Sequence, residues 1–196
     1  MIRSAMLRSL ALSLTASAAA LLVGCGTAPD AAAQTASVGS EAPRPIADFT
    51  LTEAGGGEAF TLAEARGEWV ALHFLLKTDC PLCARTTDEY AARAGELPNV
   101  RHVFIKPDEA SETVAWTARL KPATKEATPI FRDPNAELAT ALGVPDGYQF
   151  HGESVHYPAL ILIDPQGREV YRYIGSQTRD RVAFDTFKLV VDQLQS

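Results

Sequence analysis

Two cysteines that are separated by two residues are the most reactive groups in this sequence. Cys80 and Cys83 lie in LLKTDCPLCARTTDEY, residues 75–90, directly after a run of apolar residues. Thiols at this spacing serve as a redox couple, as metal ligands, or as small buried residues of a core. The elements that hold the pair decide among these three uses.

A strand and a helix are predicted to meet at the cysteines. WVALHFLL, residues 69–76, is an uninterrupted apolar run, which indicates a central strand buried on both faces. After Cys80 the apolar residues recur every three or four positions, so a helix is predicted to begin at the cysteines and end near Gly95. Pro81 is compatible with the first turn of this helix, where N–H groups have no helical acceptor.

The start of a helix favours a thiolate. Its unpaired N–H groups and the positive end of its dipole lower thiol pKa values, in Cys-x-x-Cys motifs to between roughly 3.5 and 7.5. Cys80, nearer the surface, is predicted to attack, and Cys83, one turn further on, to resolve the mixed disulfide. The carboxylate of Asp79 acts against the thiolate, whereas Lys77 and Arg85 are placed to offset it.

The rest of the domain alternates strand and helix patterns. Asp133 is predicted to cap a helix that starts at Pro134 and ends at Gly143. The βαβ units imply a partly parallel sheet with right-handed crossovers, and a hairpin about DPQG adds an antiparallel part. The predicted class is α/β, with a central mixed β-sheet flanked by helices on both faces. Strands are predicted in ADFTL, NVRHVFI and both halves of PALILIDPQGREVYRYIG, and further helices in DEASETVAWTARL and RVAFDTFKLVVDQLQ.

With these motifs, residues 45–196 resemble the thioredoxin-like superfamily, in particular its redoxin and TlpA-like branch, which is related to AhpC/TSA proteins. The segments that carry the resemblance are GEWVALHFLLKTDCPLC, FRDPNAELATALGV and YPALILIDPQGREVYRYIG. It implies a thioredoxin-like fold and disulfide exchange with protein or small-molecule thiols, regenerated by a redox partner and without a cofactor. It also implies that Pro158 is cis, lies against the cysteines and, with Tyr157, offers main-chain groups to an extended substrate.

A thiol peroxidase is the first alternative, because the redoxin branch overlaps with the peroxiredoxins. Those proteins carry the pattern P-x-x-x-T-x-x-C. With Cys80 as the reactive cysteine, the proline position holds His73 and the threonine position holds Lys77, with Thr78 one place off. Peroxiredoxins also have an arginine near the hairpin strand, where this chain has Tyr157-Pro158.

A copper-binding or copper-delivery protein is the second alternative. The Sco family, which shares the fold, binds copper through two cysteines and a histidine. His156 precedes Asp164 by eight residues, as the Sco histidine does, so the ligand set would be Cys80, Cys83 and His156. Thiolates and imidazole suit copper. Sco proteins, however, have three residues between the cysteines where this chain has two.

Other polar residues are weaker candidates. His73, inside the apolar strand, is predicted to be a hydrogen-bonded core residue, and His102 to face solvent or a helix. His151 lies in a glycine-bearing loop, residues 143–153. Arg132 and Lys106 lie near the C-terminal ends of strands, where α/β sites occur, and are candidates for binding substrate or tuning charge.

The N-terminal residues differ in composition from the rest. Residues 1–24 have the arginines, then the apolar run, of a secretory signal. Leu22-Val23-Gly24-Cys25 resembles the lipobox of bacterial lipoproteins, which implies cleavage before Cys25 and acylation of that residue as a membrane anchor. A transmembrane helix, or an ordinary signal peptide cut near AAAQ, remains an alternative.

The domain organisation follows from these segments. Residues 25–44 comprise the lipidated cysteine and a flexible linker, and residues 45–196 form one domain. An exported, periplasm-facing lipoprotein is predicted, and Gly26 favours the outer membrane if the enteric sorting rule applies. The net charge of −6 and the absence of a basic run argue against a nucleic-acid partner.

Overall fold

The computed structural model describes residues 42–77 and 79–196. The predicted signal peptide, Cys25 and nearly all of the linker lie outside these residues, so anchoring stays a prediction. In the described part of the chain, no helix is both long and apolar enough to span a membrane.

The strands are β1 (Arg44–Pro45), β2 (Thr50–Glu53), β3 (Phe60–Thr61), β4 (Trp69–Phe74), β5 (Val100–Lys106), β6 (Ile130–Arg132), β7 (Asp146–Phe150), β8 (Glu153–His156), β9 (Ala159–Ile163) and β10 (Arg168–Ile174). The helices are α1 (Pro81–Arg93), α2 (Ala110–Thr117), α3 (Pro122–Ala127), α4 (Glu137–Ala141) and α5 (Phe184–Leu194), with short 3-10 turns at Ala94–Glu96 and Pro134–Ala136.

Eight strands form one mixed sheet in the order β1-β10-β9-β4-β5-β6-β2-β3. β4, β5 and β6 are parallel, whereas β9 pairs antiparallel with β4 and β10 pairs antiparallel with β9. One face packs against α1, α2 and α5, and the other face packs against α4. This arrangement confirms the predicted α/β class with helices on both faces.

The central strand β4 contributes to both cores, which explains why its sequence is apolar except for His73. Val70, Leu72 and Phe74 pack on the α4 side, whereas Ala71 and Leu75 pack on the side of α1 and α5. Alternate residues of a strand point to opposite faces, so a strand covered on both sides needs apolar residues throughout. The position of this strand fixes where the cysteines emerge.

A second, two-stranded sheet was not predicted. β7 and β8 pair antiparallel where the sequence indicated only a loop. Their turn uses the left-handed backbone conformation at His151 and Gly152, with φ of 49° and 85°. Most side chains of the hairpin are exposed or half-buried, so neither strand carries the alternation that marks a half-buried strand.

Two helices differ from their predicted bounds. The helix predicted to run to Leu120 ends at Thr117, and α3 follows it separately. The helix predicted to follow Asp133 directly begins only at Glu137, because Ala136 adopts a left-handed φ of 54°. Asp133 nevertheless caps this helix, since its carboxylate accepts the N–H groups of Leu138 and Ala139 at 2.8 and 2.9 Å.

Two histidines on the neighbouring strands β4 and β5 form a pair in which His73 is buried and His102 is half-buried. His73 Nε2 lies 3.0 Å from His102 Nδ1, and the His73 ring packs against the rings of Tyr90 and Phe104. His73 is therefore the hydrogen-bonded core residue that the sequence predicted. Burial, together with the neighbouring His102, lowers the pKa of His73 well below 6.5, and burial lowers the pKa of His102 to about 4.

We expect this pair to make the protein acid-sensitive. Well above pH 6.5 both histidines are neutral in the folded and unfolded chains, so they do not make the free energy of unfolding depend on pH. As the pH falls from 6.5 to about 4, His102 becomes protonated in the unfolded chain but stays mostly neutral in the folded chain, and this residue alone lowers the free energy of unfolding by about 3 kcal/mol. Urea denaturation at pH 7, 6, 5 and 4 measures this loss. The substitution His102→Leu should reduce this loss of stability at low pH, whereas the control His151→Asn, at an exposed site, should not. If the free energy of unfolding fell equally with pH in wild type and both variants, the histidine pair would not be the source of the acid sensitivity.

Candidate active site

The two cysteines form a disulfide at the start of α1. Their Cα atoms are 5.2 Å apart, and Cys80 is the N-cap residue, with an extended backbone. The Cys83 N–H donates to Cys80 Sγ at 3.1 Å. Cys80 is 7% exposed and Cys83 is fully buried. An external reactant therefore reaches Cys80 first.

A second peptide N–H donates a hydrogen bond to the buried sulfur of Cys83. Leu76, just beyond β4, donates its N–H to Cys83 Sγ at 3.4 Å. Hydrogen bonds from amides strengthen when the acceptor carries a full charge, so both contacts favour the thiolate forms after reduction. The junction of β4 and α1 thus supplies one N–H group to each sulfur.

Arg181 is the site residue that sequence analysis missed. Its Nη2 donates to Cys80 Sγ at 3.3 Å and to Cys83 Sγ at 3.1 Å. Arg181 is half-buried, and this burial lowers the pKa of its guanidinium to about 10, so the group remains charged at neutral pH. Sequence analysis noted that this chain has Tyr157-Pro158 where peroxiredoxins carry an arginine near the hairpin strand; the guanidinium at the sulfurs comes instead from the loop between β10 and α5. Arg181 is about 100 residues away from the cysteines in the sequence, so no local sequence pattern could indicate this contact.

The loop that carries Arg181 is held by Asp180. The Tyr173 hydroxyl donates to Asp180 Oδ1, and the Ser176 N–H and hydroxyl donate to Oδ2 at 2.7 and 2.8 Å. Arg181 Nη1 donates to the Thr178 carbonyl at 2.8 Å. The Asp180 carboxylate is therefore engaged with β10 and its own loop, while the neighbouring guanidinium points to the sulfurs.

Pro158 lies close to the site but not in the predicted form. The register Phe74↔Ala159 places it beside the end of β4, where it is buried and lines a cavity of about 30 Å³ with Arg181 and Tyr173. No peptide bond in the described residues is cis, so the cis bond implied by the resemblance is wrong. The trans form is the lower-energy form of an X-Pro bond. The Pro158 carbonyl also already accepts the N–H of Gly175 at 2.8 Å.

The β7–β8 hairpin is fastened beside the cysteine loop. The Tyr148 hydroxyl accepts the Lys77 N–H at 3.0 Å, and Lys77 Nζ forms an ion pair with Glu153. Tyr157, predicted to contact substrate, stacks on Tyr148 with 6.3 Å between ring centroids. A Cβ atom at Gly147 would come within 2.5 Å of Tyr157, so glycine permits this approach. The hairpin therefore shields one side of the site.

The exposed charges around Cys80 are paired differently from the prediction. Lys77 was expected to offset Asp79, but its ammonium is bonded to Glu153. Asp79 instead pairs with Arg119 at 2.7 Å on the surface. Arg85 is exposed on α1. The cation that contacts the sulfurs is therefore Arg181 and neither of the two basic residues nearest to them in sequence.

A buried ion pair lies beneath the cysteine loop. Lys106 and Asp108 are both fully buried, with Nζ 2.9 Å from the carboxylate. Lys106 also donates to the Leu76 carbonyl at 2.7 Å and lies 4.7 Å from the Trp116 ring, whose N–H donates to the Cys80 carbonyl. Lys106 thus supports the backbone of Leu76 directly and that of Cys80 through Trp116. Arg132, the other candidate, pairs with Glu109.

Replacing Asp108 with alanine should lower the free energy of unfolding by about 3 kcal/mol. The buried Lys106 ammonium would lose the carboxylate that compensates its desolvation, and breaking a buried pair typically costs 3–5 kcal/mol. Urea denaturation at pH 7 measures the loss. The double variant Lys106→Met/Asp108→Leu should recover most of it, because neither charge is then buried. A loss below 1 kcal/mol in the single variant would show that the pair does not support the fold.

The His156 side chain does not lie in a group of residues that could bind a metal ion. It is buried, with Nδ1 2.8 Å from the Tyr157 carbonyl, and its ring packs against Phe74. The residues that the structure describes gather no group of three or more His, Cys, Asp or Glu side chains suited to a metal ion. The structure therefore does not bring His156 to the cysteines as a third ligand, and copper binding stays a prediction.

Known proteins resemble this chain over most of its length. The AhpC/TSA family profile matches residues 38–172. Proteins of two Mycobacterium tuberculosis strains, each provisionally named a peroxiredoxin, are 26% identical over 139 residues, which is 69% of this chain and 85% of theirs.

Solved structures share the fold. A yeast mitochondrial 1-Cys peroxiredoxin matches with a TM-score of 0.64 and 17% identity, over 79% of this chain and 75% of that one. The exposed lipoprotein thioredoxin of Streptococcus pneumoniae strain TIGR4 matches with a TM-score of 0.56 and 22% identity, over 75% of this chain and 99% of that one. At these identities, the likeness establishes a thioredoxin-like fold.

Proposed function

The chain belongs to the AhpC/TSA family of thiol oxidoreductases, and from this premise we propose that it is a thiol peroxidase. The observation that carries the proposal is the Arg181 guanidinium, which contacts both sulfurs. The provisional peroxiredoxin names of the mycobacterial relatives support it as well. We therefore rank the peroxidase, which the sequence offered only as an alternative, ahead of disulfide exchange with substrates.

The reaction uses the two cysteines in turn. The Cys80 thiolate attacks a hydroperoxide, so that an S–O bond forms, the O–O bond breaks and the alcohol or water leaves with a proton. Cys83 then attacks the Cys80 sulfenic acid, forming the disulfide and releasing water. Two electrons from an external dithiol restore both thiols. The observed disulfide is the product of the second step.

Arg181 can act at both ends of the first step. Its positive charge stabilises the Cys80 thiolate before the attack. The same guanidinium can donate to the oxygen on which negative charge develops as the O–O bond breaks. The chain lacks the threonine and proline of the peroxiredoxin pattern at Lys77 and His73. A cation from a distant loop therefore provides electrostatic stabilisation that those local residues do not.

Disulfide exchange with a substrate is the second candidate, and the position of the pair favours it. Cys80 caps α1 and Cys83 lies within the first turn, so the disulfide forms without unwinding the helix. The more exposed sulfur belongs to Cys80, as an exchange nucleophile requires. In this scheme Arg181 would stabilise the thiolate only.

Stopped-flow measurement of the reduced protein separates the two candidates. Trp116, whose N–H donates to the Cys80 carbonyl, should report oxidation through its fluorescence. We expect hydrogen peroxide to oxidise the pair at least about 100-fold faster than a free cysteine, in line with the effect of one well-placed donor. A rate equal to that of free cysteine, with rapid reduction of insulin disulfides, would replace the peroxidase by the exchange reaction.

A further inference from the structure

The Tyr148 hydroxyl lies at the loop that carries the cysteines. It accepts the Lys77 N–H at 3.0 Å, and the N–H of the preceding residue, Leu76, donates to Cys83 Sγ at 3.4 Å. Two consecutive N–H groups of this loop therefore bond to the Tyr148 hydroxyl and to the buried sulfur. The Tyr148 ring packs against the core cluster that includes both cysteines. The β7–β8 hairpin thus brings a phenol to the site from 71 positions beyond Lys77 in the sequence.

The hydroxyl proton of Tyr148 is not used in a hydrogen bond within the described part of the chain. A phenol can both accept and donate, and Tyr148 only accepts. Burial raises the pKa of Tyr148 above 10, although the bond from Lys77 and the charge of Arg181 act in the opposite direction. Tyr148 therefore keeps its proton at neutral pH. The side chain is half-buried, so a small molecule that enters the site from solvent can approach it.

Two ammonium groups near the same loop are less suited to give up a proton to a reactant. The hydrogen bond with Glu153 raises the pKa of Lys77, so this ammonium holds its proton more tightly. Lys106 is fully buried and paired with Asp108, so a reactant from solvent does not reach it. Tyr148 combines a proton that is not engaged among the described residues with a partly accessible side chain.

We propose that Tyr148 is the acid that protonates the departing oxygen when a hydroperoxide reacts with Cys80, a role that rests on the proposed peroxidase function. The Cys80 thiolate bonds to the outer oxygen of the hydroperoxide, and the O–O bond breaks. The departing alkoxide or hydroxide takes the hydroxyl proton of Tyr148 and leaves as the alcohol or water. The tyrosinate is stabilised by the Lys77 N–H and by the charge of Arg181 until it regains a proton from solvent.

This role makes the reaction depend on the basicity of the leaving group. Hydrogen peroxide expels hydroxide, a strong base, so a proton donor assists its departure. Peracetic acid expels acetate, a weak base that leaves without a proton. The Tyr148 hydroxyl should therefore matter for hydroperoxides and not for peracids. A hydroxyl that only held the loop in place would matter equally for both.

Single turnovers of reduced Tyr148→Phe test the role. Oxidation of Cys80 by hydrogen peroxide and by peracetic acid is followed through the fluorescence of Trp116. We expect Tyr148→Phe to lower the second-order rate constant with hydrogen peroxide by about 100-fold, which is the lower end of the effect of a general acid, and with peracetic acid by less than about threefold. The matched control, Tyr171→Phe, removes a buried hydroxyl that has no hydrogen-bond partner among the described residues, and should match wild type with both oxidants.

The other outcomes overturn the role in distinguishable ways. Equal losses with both oxidants in Tyr148→Phe would show that the hydroxyl only holds the loop. An acidic limb of the pH–rate profile that moved to higher pH in Tyr148→Phe would show that the hydroxyl acts on the Cys80 thiolate. An unchanged rate with hydrogen peroxide would remove Tyr148 from the reaction and leave the peroxidase intact. A wild-type rate with hydrogen peroxide equal to that of free cysteine would overturn the peroxidase, and the role of Tyr148 with it.

Discussion

Cys80→Ser is expected to lower peroxide reduction by more than about 1,000-fold, to the background rate of the buffer. The substitution removes the only sulfur of the pair with any exposed surface, and losses of this order follow the removal of a covalent nucleophile. The serine hydroxyl is not ionised near neutral pH and cannot replace a thiolate. Peroxide consumption with dithiothreitol as reductant, at pH 7, measures the loss. More than a tenth of wild-type activity in Cys80→Ser would place catalysis elsewhere.

Cys83→Ser is the matched control and should behave differently. Because Cys80 retains Arg181 at its sulfur, we expect one equivalent of peroxide to be consumed per chain at close to the wild-type rate. The reaction should then stop at the Cys80 sulfenic acid, which a sulfenic acid-specific reagent detects by mass. Loss of this first oxidation in Cys83→Ser would show that the roles of the two cysteines are reversed.

Arg181→Met should lower kcat/KM for hydrogen peroxide by about 100-fold. Methionine fills much of the space of the arginine stem but supplies neither the charge nor the hydrogen bonds to the sulfurs. Removing one preorganised donor to a developing anion typically costs 10²–10³ in rate. The pKa of the Cys80 thiol should rise as well, because an adjacent cation favours its ionised form. The acidic limb of the pH–rate profile should therefore move to higher pH.

Two variants separate this electrostatic effect from a general loss of structure. Arg179→Met removes an exposed charge from the same loop and should leave both kcat/KM and the pH profile unchanged. Arg181→Lys keeps a charge near the sulfurs and should restore part of the rate. An Arg181→Met enzyme with a normal pH profile would mean that the guanidinium holds the loop in place without stabilising the thiolate.

The central elements of the fold were predictable because their sequence patterns are local. The apolar run of β4 and the three- and four-residue spacing in α1 each follow from the periodicity of a single element. The β7–β8 hairpin had no such pattern, since its strands are mostly exposed or half-buried and it is fastened by long-range contacts such as those with Lys77. Likewise, α3 forms as a separate short helix that the sequence did not indicate.

The sequence alone was sufficient to establish the spacing of Cys80 and Cys83 and their place at the start of a helix, because residues three apart meet within one turn. It also determined which cysteine is the more exposed. Long-range packing brings Arg181 to both sulfurs, places Lys106 and Asp108 beneath them, and keeps His156 apart from them. The reason is physical: contacts between residues 30 to 101 positions apart depend on strand order and on the conformations of loops, which no local periodicity in the sequence reveals.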